Sequence, residues 1–329
     1  MEKQYYNAIN IALNGDYRKI KSIKSCSWEE AWQKIQKNFP AINPEKEFEK
    51  ITKSNIELIL ESGQNFPGQL KEMPWPPFAI YKQGNLKTSQ SLAIVGTRKA
   101  TNSGKKIARQ FAKDFAENKF SVISGLALGI DEAAHSGTLE GNGITIAVLP
   151  TGLNNIYPKQ NHGLAKKILE NNGALISEFP TEYRPYASSF IQRNRIISAL
   201  SQATVIIEAP EKSGALATAR FALEQNREIF VVPGPADHPN YKGSHTLIRE
   251  GARLVTNSQE IFEDFGIEIK NINQPKLIDQ ITEEERLVLE AINQLGWPTS
   301  VDKISEISKI QVQKANQIIA FLTIKGILK

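Results

Sequence analysis

The sequence predicts an α/β protein with an extended Rossmann-like, doubly wound and mainly parallel sheet. A small helical domain precedes this core, and a winged-helix-like domain follows it. Short apolar runs recur between residues 90 and 265, and stretches with helical spacing separate most of them. Such runs with helical crossovers are typical of a parallel sheet that is covered on both faces. Right-handed crossovers then wind the sheet doubly.

Residues 1–75 mix apolar and charged side chains at helical spacing, as in AWQKIQKNF and SNIELILESG. The proline-rich stretch MPWPPFAIYKQGN breaks this pattern, and we expect FAIYKQ to form a first edge strand. We therefore assign residues 1–75 to a helical N-terminal domain and residues 76–268 to the sheet-containing core.

Each strand of the core is expected at one apolar run. The runs are LAIVG at 92–96, FSVIS at 120–124, ITIAVL at 144–149, GALIS at 173–177, TVIIEA at 204–209, EIFVVPG at 228–234 and ARLV at 252–255.

The C-terminal part begins with a polar linker, assigned to residues 269–281. Residues 282–329 then show three short helical stretches, and Thr282 with Glu285 forms a capping box before the first. Three helices with a tight middle turn resemble a helix-turn-helix or winged-helix module. Its third helix offers Lys314 and Lys325 as cations, so a protein-interaction role is at least as well supported as DNA reading.

Composition limits the class of protein. The chain has 329 residues, 40% of them hydrophobic, which is enough for a sizeable core. Cys26 is the single cysteine, which excludes an internal disulfide and suggests a reducing compartment. No apolar run has membrane-spanning length, and the N-terminus lacks a signal-peptide core, so we expect a cytoplasmic protein without a membrane partner.

Small and basic residues occupy the loops that connect predicted strands to the helices that follow them. The carboxyl ends of parallel strands share one edge of a sheet, and free N–H groups at helix N-termini there attract phosphate. A single glycine corner is equally consistent with a tight turn, but four corners on one edge favour an anion-binding surface. The corner residues are Gly96, Arg98, Ser124, Gly125, Gly129, Lys212, Ser213, Gly214, Gly243 and Ser244.

The stretch FIQRNRIISALS adds two arginines at the start of a predicted helix. The forks of Arg193 and Arg195, on either side of Asn194, suit phosphate oxygens, and Phe190 suits stacking on a base. The alternatives are that the arginines tie down loops through carboxylates and that Phe190 belongs to the core.

No catalytic or metal-binding set stands out, and we predict no cofactor. Asp131 suits a helix cap or an arginine partner, and Glu208 is a lone carboxylate at the same edge. The four histidines lack metal-ligand spacing. Neither GxGxxG nor GxxxxGK[ST] is present, which disfavours an ordinary dinucleotide or P-loop site.

Ordered blocks along nearly the whole chain resemble the DprA/Smf family of DNA-processing proteins. They are VGTRKATNSG, SGLALGID, AVLPTGLNNIYP, ISEFP, FIQRNRIISALS, EAPEKSGALATARFALE, VPGP and GSHTLIREGA.

The resemblance implies a single-stranded DNA-binding recombination mediator that is not an enzyme. Such proteins protect incoming single strands and load the RecA recombinase in natural transformation, or competence, and they typically form homodimers. Carried over by position, the family's DNA site corresponds to Arg98, Ser124, Gly125, Gly129, Phe190, Arg193, Arg195, Lys212, Ser213 and Gly214.

Two positions depart from the family pattern. Many relatives have arginine where Leu128 stands and asparagine where His245 stands. The first change removes an expected phosphate contact, for which Lys99, Lys212 or Arg184 would have to compensate.

Two other functions remain alternatives. One is hydrolysis of nucleoside monophosphates by a Rossmann-like enzyme, although Thr218 stands about where such enzymes carry a catalytic glutamate. The other is a nucleotide-sensing module that binds a small nucleotide at the same edge.

Overall fold

The computed structural model describes residues 1–267, 282–324 and 328. The chain divides into two compact units, the first ending at Ile269 and the second beginning at Lys270. The predicted linker, residues 269–281, lies outside the described residues. In the part of the chain that is described, every helix is too short or too polar to cross a membrane.

The first unit contains a nine-stranded sheet in the order β1-β2-β6-β5-β4-β3-β7-β8-β9. Neighbours from β6 to β9 pair in parallel, whereas β2 pairs antiparallel with both β1 and β6. The predicted mainly parallel, doubly wound sheet is confirmed. The strands are β1 Glu57–Leu60, β2 Ala79–Gly84, β3 Ser91–Val95, β4 Ser121–Ser124, β5 Thr145–Val148, β6 Ala174–Ser177, β7 Ala203–Ile206, β8 Glu228–Val231 and β9 Arg253–Leu254.

Helices precede the sheet and connect most of its strands. In the first unit they are α1 Glu2–Ala12, α2 Tyr17–Ile23, α3 Trp28–Ile35, α4 Pro44–Lys53, α5 Gly68–Lys71, α6 Asn102–Glu117, α7 Ile130–Glu140, α8 His162–Glu170, α9 Ala187–Ala199, α10 Gly214–Glu224, α11 Lys242–Arg249 and α12 Ser258–Asp264.

Two expectations about the start of the sheet are wrong. Part of SNIELILESG, expected to be helical, forms β1, and β1 is the edge strand instead of FAIYKQ. The latter stretch contains most of β2, which lies between β1 and β6. Leu58 packs into the core on one face of the sheet and Ile59 into the core on the other. Burial on both faces produces a continuous apolar run whose periodicity does not separate strand from helix.

A hydrophobic core lies on each face of the sheet. On one face, Ile196 of α9 and Ala219 of α10 pack with Ile206 of β7 and Val231 of β8. The other core unites the N-terminal helices with the opposite face. Its members include Ile9, Trp32, Ile51, Leu58, Tyr81 and Leu175.

Buried hydrogen bonds join α1 to the sheet. The hydroxyl of Tyr81 donates to Oδ1 of Asn7 at 2.8 Å. Nδ2 of Asn10 donates to that hydroxyl at 3.2 Å and to the carbonyl of Glu178 at 3.1 Å. These bonds satisfy polar groups that would otherwise be costly to bury, and they fix the register of α1 on β2.

The described part of the second unit contains three helices, α13 Glu283–Leu295, α14 Val301–Ser308 and α15 Val312–Ile324. They enclose a small core that includes Val288, Ile304 and Leu322. The predicted capping box is confirmed, because Thr282 accepts from the backbone of Glu285 and the Glu285 side chain accepts from the backbone of Thr282. The winged-helix assignment stays a prediction, and Lys325 lies outside the described residues.

Candidate functional site

A cavity of about 250 Å³ lies where the chain order of the sheet reverses. From β3 the chain builds β4, β5 and β6 outward on one side, and it then returns to place β7 on the other side of β3. Open α/β sheets bind ligands outside the carboxyl ends of strands at such a reversal. We call this space the switch-point cavity. Its lining includes Gly96, Thr97, Arg98, Lys99, Asp131, Phe190, Ile191, Arg193, Asn194, Lys212, Ser213, Gly214 and Thr218.

The structure therefore brings together eight of the predicted site residues, from three separate stretches of the chain. They are Gly96, Arg98, Phe190, Arg193, Asn194, Lys212, Ser213 and Gly214.

Arg98 and Phe190 form the outer wall of the cavity. The guanidinium carbon of Arg98 lies 4.6 Å from the centroid of the Phe190 ring, within the range of a cation–π contact. Tyr157 meets the same ring edge-on, with centroids 5.5 Å apart. Phe190 is half-buried, so it is neither a full core residue nor a free surface ring.

A smaller cavity of about 140 Å³ lies against the same wall, and we call it the side cavity. It shares Arg98, Ala127 and Phe190 with the switch-point cavity. Gly125, Leu128, Tyr157 and Pro158 complete its lining. Tyr157 is not among the site residues predicted from the sequence. The signal that could have indicated it is an aromatic residue in the loop that follows a strand.

The exposed cations at the switch-point cavity have no carboxylate partner in the described part of the chain. Arg98, Lys99 and Lys212 are exposed. Among the described residues, none of the three has a carboxylate oxygen within 4.0 Å. Their charges are therefore available to an anionic ligand.

Arg193 is buried and supports the loops around the cavity. It lies in the middle of α9, which begins at Ala187, and not at the helix start as expected. Its Nη1 donates to the carbonyl of Gly125 at 2.6 Å and to that of Val148. Burial lowers the pKa of its guanidinium to about 10, against the opposing effect of Asp131.

Asn194 links α9 to the start of α10. Its Oδ1 accepts from Nε of Arg193 at 3.1 Å, and its Nδ2 donates to the carbonyl of Gly214 at 3.1 Å. Ser213 is the N-cap of α10 and accepts from the amide of Ala215 at 3.2 Å. The N-terminus of α10 thus lies at the cavity in a fixed position, where the helix dipole favours an anion.

Asp131 holds the turn after β4. Its Oδ2 accepts from the amide of Gly125 at 3.1 Å and from that of Ala127 at 3.4 Å. Burial raises the pKa of its carboxyl, while Arg193 and these bonds oppose the shift. The structure thus gives Asp131 a structural role, although it accepts from a turn and does not cap α7.

The small residues of this turn are explained by packing. Ser124 is fully buried and donates to the carbonyl of Ile94 at 2.6 Å. Gly129 has a φ of 87°, and a Cβ there would lie 2.5 Å from the carbonyl oxygen of Thr97. Neither residue lines the switch-point cavity.

Gly243 and Ser244 support the end of β7 from α11. The amide of Gly243 donates to the carbonyl of Ala209 at 2.9 Å, and the hydroxyl of Ser244 accepts from the amide of Ala209 at 3.1 Å. Ser244 is fully buried. The structure therefore places both residues behind the cavity, not in its lining.

Arg195 lies away from the cavity. It is 2% exposed and forms a buried ion pair with Glu178. Its guanidinium also lies 5.9 Å from the ring centroid of Tyr17 and 3.8 Å from the sulfur of Met73. Arg195 was considered either as a phosphate contact or as the partner of a carboxylate, and the structure shows it paired with a carboxylate.

Glu208 is fully buried and fully engaged. Its carboxylate accepts from the amide of Thr101 at 3.0 Å, from the hydroxyl of Thr101, from Nδ2 of Asn240 at 2.9 Å and from the hydroxyl of Tyr241 at 3.0 Å. Burial and this carboxylate raise the pKa of Tyr241 to about 12. Glu208 therefore joins β7, α6 and the segment before α11.

Two further features of the sequence concern cations, namely a metal site in the chain and the lysines of the second unit. Within the described ranges, histidine, cysteine and carboxylate side chains form no cluster that would hold a metal ion. In the second unit, Lys314 of α15 is paired with Glu284 of α13, so its charge is already engaged.

A family model described as DNA recombination-mediator protein A matches residues 57–266. Protein Smf of Escherichia coli is 42% identical over 234 residues, which cover 70% of this chain and 63% of that protein. The chain thus matches less than two thirds of the length of this relative.

Two solved structures are similar as well. An X-ray structure of DNA processing protein A from Streptococcus pneumoniae has a TM-score of 0.65 and 30% identity, covering 82% of this chain and 94% of the other. DNA processing protein A from Helicobacter pylori, reported for its single-stranded DNA binding mode, has a TM-score of 0.58 and 30% identity, covering 64% and 95%. With the family match over residues 57–266, these findings show that the chain belongs to the DprA/Smf family of DNA recombination-mediator proteins.

Proposed function

We propose that this protein binds single-stranded DNA at the switch-point cavity and acts as a recombination mediator. The observation that carries the proposal is the pair formed by Arg98 and Phe190. It places a cation and an aromatic face side by side at the mouth of a cavity with further unpaired cations. The H. pylori relative, reported for its single-stranded DNA binding mode, supports the same ligand.

The proposed binding mode separates phosphate capture from base contact. Phosphates bind Arg98, Lys99, Lys212 and the N-terminus of α10, because cationic side chains and the positive end of a helix dipole meet there. Bases stack on Phe190, and every base has a face that suits stacking. Arg193 and Asn194 act from behind by holding the three loops in place. The stacking contact itself tolerates every base.

At the level of the cell, we propose that the protein protects incoming single strands and loads RecA during natural transformation. We also propose that it works as a homodimer in the cytoplasm. Family membership supports these roles, and the exposed free thiol of Cys26 suits a reducing compartment. The division into an N-terminal helical domain, a core and a winged-helix-like domain belongs to the same proposal.

We propose a binding role without catalysis. Asp131 is the single carboxylate in the lining of the switch-point cavity, and backbone amides already occupy it. Thr218 is buried there and donates to the carbonyl of Gly214 at 3.4 Å. Glu208 uses its carboxylate to hold three segments together. These contacts give nucleoside-monophosphate hydrolysis less support than strand binding.

The test is an anisotropy titration of labelled single-stranded oligonucleotides across a range of salt concentrations. We expect the logarithm of the binding constant to fall linearly with the logarithm of salt concentration. Arg98→Ala and Lys212→Ala should each weaken binding and reduce the slope by about 0.7 per lost phosphate contact. Lys37→Ala, at an exposed lysine of the N-terminal region, is the matched control and should change neither.

Three results would count against the proposal. They are tight binding to duplex with none to single strands, competition by a mononucleotide at low concentration, and unchanged affinity in both variants. Release of free base from nucleoside monophosphates would favour the enzymatic alternative.

A further inference from the structure

The side cavity has a different chemistry from the switch-point cavity beside it. Leu128, Tyr157, Pro158 and the Phe190 ring form most of its wall, and Arg98 is the single charged residue in its lining. Leu128 is 36% exposed and Tyr157 is 41% exposed. Large apolar side chains that remain accessible around a concave space are typical of a binding site.

The turn that carries Leu128 is held in place before any ligand arrives. Leu126, two residues earlier, has a left-handed φ of 57°, which is uncommon for a residue with a large side chain. Buried Asn161 donates to the carbonyl of Leu126 at 2.9 Å, and Asp131 accepts from the amide of Ala127. A backbone held in such a conformation points to a functional demand at this turn.

We propose that the side cavity is a nucleobase slot that prefers thymine to uracil and cytosine. The inference rests on the proposed function, because it places one base of the bound strand on the apolar side of the Arg98–Phe190 wall. The phosphates then lie on the cationic side, in the switch-point cavity. Leu128 and Tyr157 are the residues that determine the preference.

Thymine is favoured for two chemical reasons. An apolar wall contacts the C5 methyl group, which uracil and cytosine lack. Arg98 only donates hydrogen bonds, so it matches O4 of thymine and not the N4 amino group that replaces it in cytosine, while the O2 carbonyl is common to both bases. Burial of one methyl-sized group corresponds to about a fourfold change in the binding constant.

The experiment compares oligothymidylate with oligodeoxyuridylate of equal length in competition anisotropy with the full-length chain. These strands differ only in the C5 methyl group, so phosphate contacts cancel in the ratio of their affinities. We expect thymidylate to bind about fourfold more tightly and oligodeoxycytidylate to bind more weakly than either.

Leu128→Arg and Tyr157→Ala should bring the thymidylate-to-deoxyuridylate ratio to about one. Leu223→Arg makes the same change at a leucine of α10 that is 69% exposed and lines neither cavity, and it should keep the ratio. Circular dichroism and thermal melts establish that each variant is folded. Because the ratio is the readout, a general gain of affinity from an added arginine does not disturb it.

Each outcome decides the slot assignment. Tight but equal binding of the two strands by the wild type would overturn the slot and leave the single-strand proposal standing. An unequal ratio that survives both Leu128→Arg and Tyr157→Ala would also overturn the slot. Absence of binding to all three strands would overturn the slot and the proposed function together.

Discussion

Arg193 fills the space that a side chain at Gly125 would need. A Cβ on Gly125 would lie 2.5 Å from Nη1 of Arg193, closer than real Cβ contacts. That same nitrogen donates to the Gly125 carbonyl at 2.6 Å. The glycine after β4 therefore admits a guanidinium of the protein itself, and it supports the cavity wall from behind.

Gly125→Ala should consequently weaken both stability and DNA binding. Overpacking a tight site typically costs about 1–3 kcal/mol, and the displaced Arg193 would loosen two loops. Urea denaturation and oligonucleotide titration measure the two effects. Gly163→Ala is the matched control, since a Cβ there meets nothing within 4 Å. Wild-type values for Gly125→Ala in both assays would contradict the packing argument.

Arg195→Met should destabilise the fold without reducing DNA affinity per folded molecule. Removing one member of a buried ion pair leaves the other charge uncompensated, at a cost of about 3–5 kcal/mol. The double change with Glu178→Leu should recover much of this loss, because no lone charge remains. Urea midpoints for the single and double variants test the pair.

DNA titration under conditions where the Arg195 variant is folded tests the second half of that prediction. Arg98→Ala provides the contrast, because its guanidinium is exposed at the cavity. A folded Arg195→Met protein with strongly reduced affinity would restore Arg195 to the binding site.

His135 should make the free energy of unfolding depend on pH. Nδ1 lies 2.6 Å from the hydroxyl of Thr145, which itself donates to the carbonyl of Val122 at 2.8 Å. Nδ1 is therefore the protonated nitrogen, and Nε2 is buried without a partner. Burial, with Arg193 as the second cause, lowers the pKa of His135 from 6.5 to about 3.

The direction of this pH dependence follows from proton binding to the unfolded chain. Below pH 6.5 the His135 side chain binds a proton in the unfolded chain but not in the folded protein. The free energy of unfolding therefore falls as pH drops from 6.5 towards 3. The slope is about 1.4 kcal/mol per pH unit. Urea denaturation at about pH 7.5 and about pH 5 measures it. His135→Gln should flatten the profile, whereas His162→Gln, at an exposed histidine, should retain it.

Glu208→Gln should destabilise the protein by about 1–3 kcal/mol. The neutral amide weakens the charge-assisted bonds of the carboxylate. Its Nε2 would face either the amide of Thr101 and Nδ2 of Asn240, which only donate, or the hydroxyls of Thr101 and Tyr241, which would have to reverse. Thermal unfolding measures the loss. Glu211→Gln, three residues along and exposed, should have no such effect. Equal melting temperatures for the two variants would exclude Glu208 as a structural centre.

Much of the site was predictable because carboxyl ends of parallel strands meet at one edge. That rule brings Gly96 and Arg98 beside Lys212 and Gly214, which are more than a hundred residues away in the chain. It does not tell which way each side chain of a helix faces. Residues two apart on a helix point about 200° apart, so Arg193 lines the cavity while Arg195 pairs with Glu178 away from it.

The error at β1 has a related cause. Its residues Leu58, Ile59 and Leu60 place apolar side chains on both faces of the sheet, and a short run of this kind fits a helix turn as well as a strand. This segment forms a strand because it pairs with β2, where Leu58 lies opposite Tyr81. Such long-range pairing leaves no local signal in the sequence.

The shared core of the N-terminal helices and the sheet has a practical consequence for fragments of this protein. The family match begins at residue 57, yet a polypeptide cut there would lose the partners of Tyr81 and Leu175. The uncovered sheet face would then be an apolar surface open to self-association. Residues 1–56 therefore belong in any shortened version that is meant to stay monodisperse, even when the purpose is only to study the cavity.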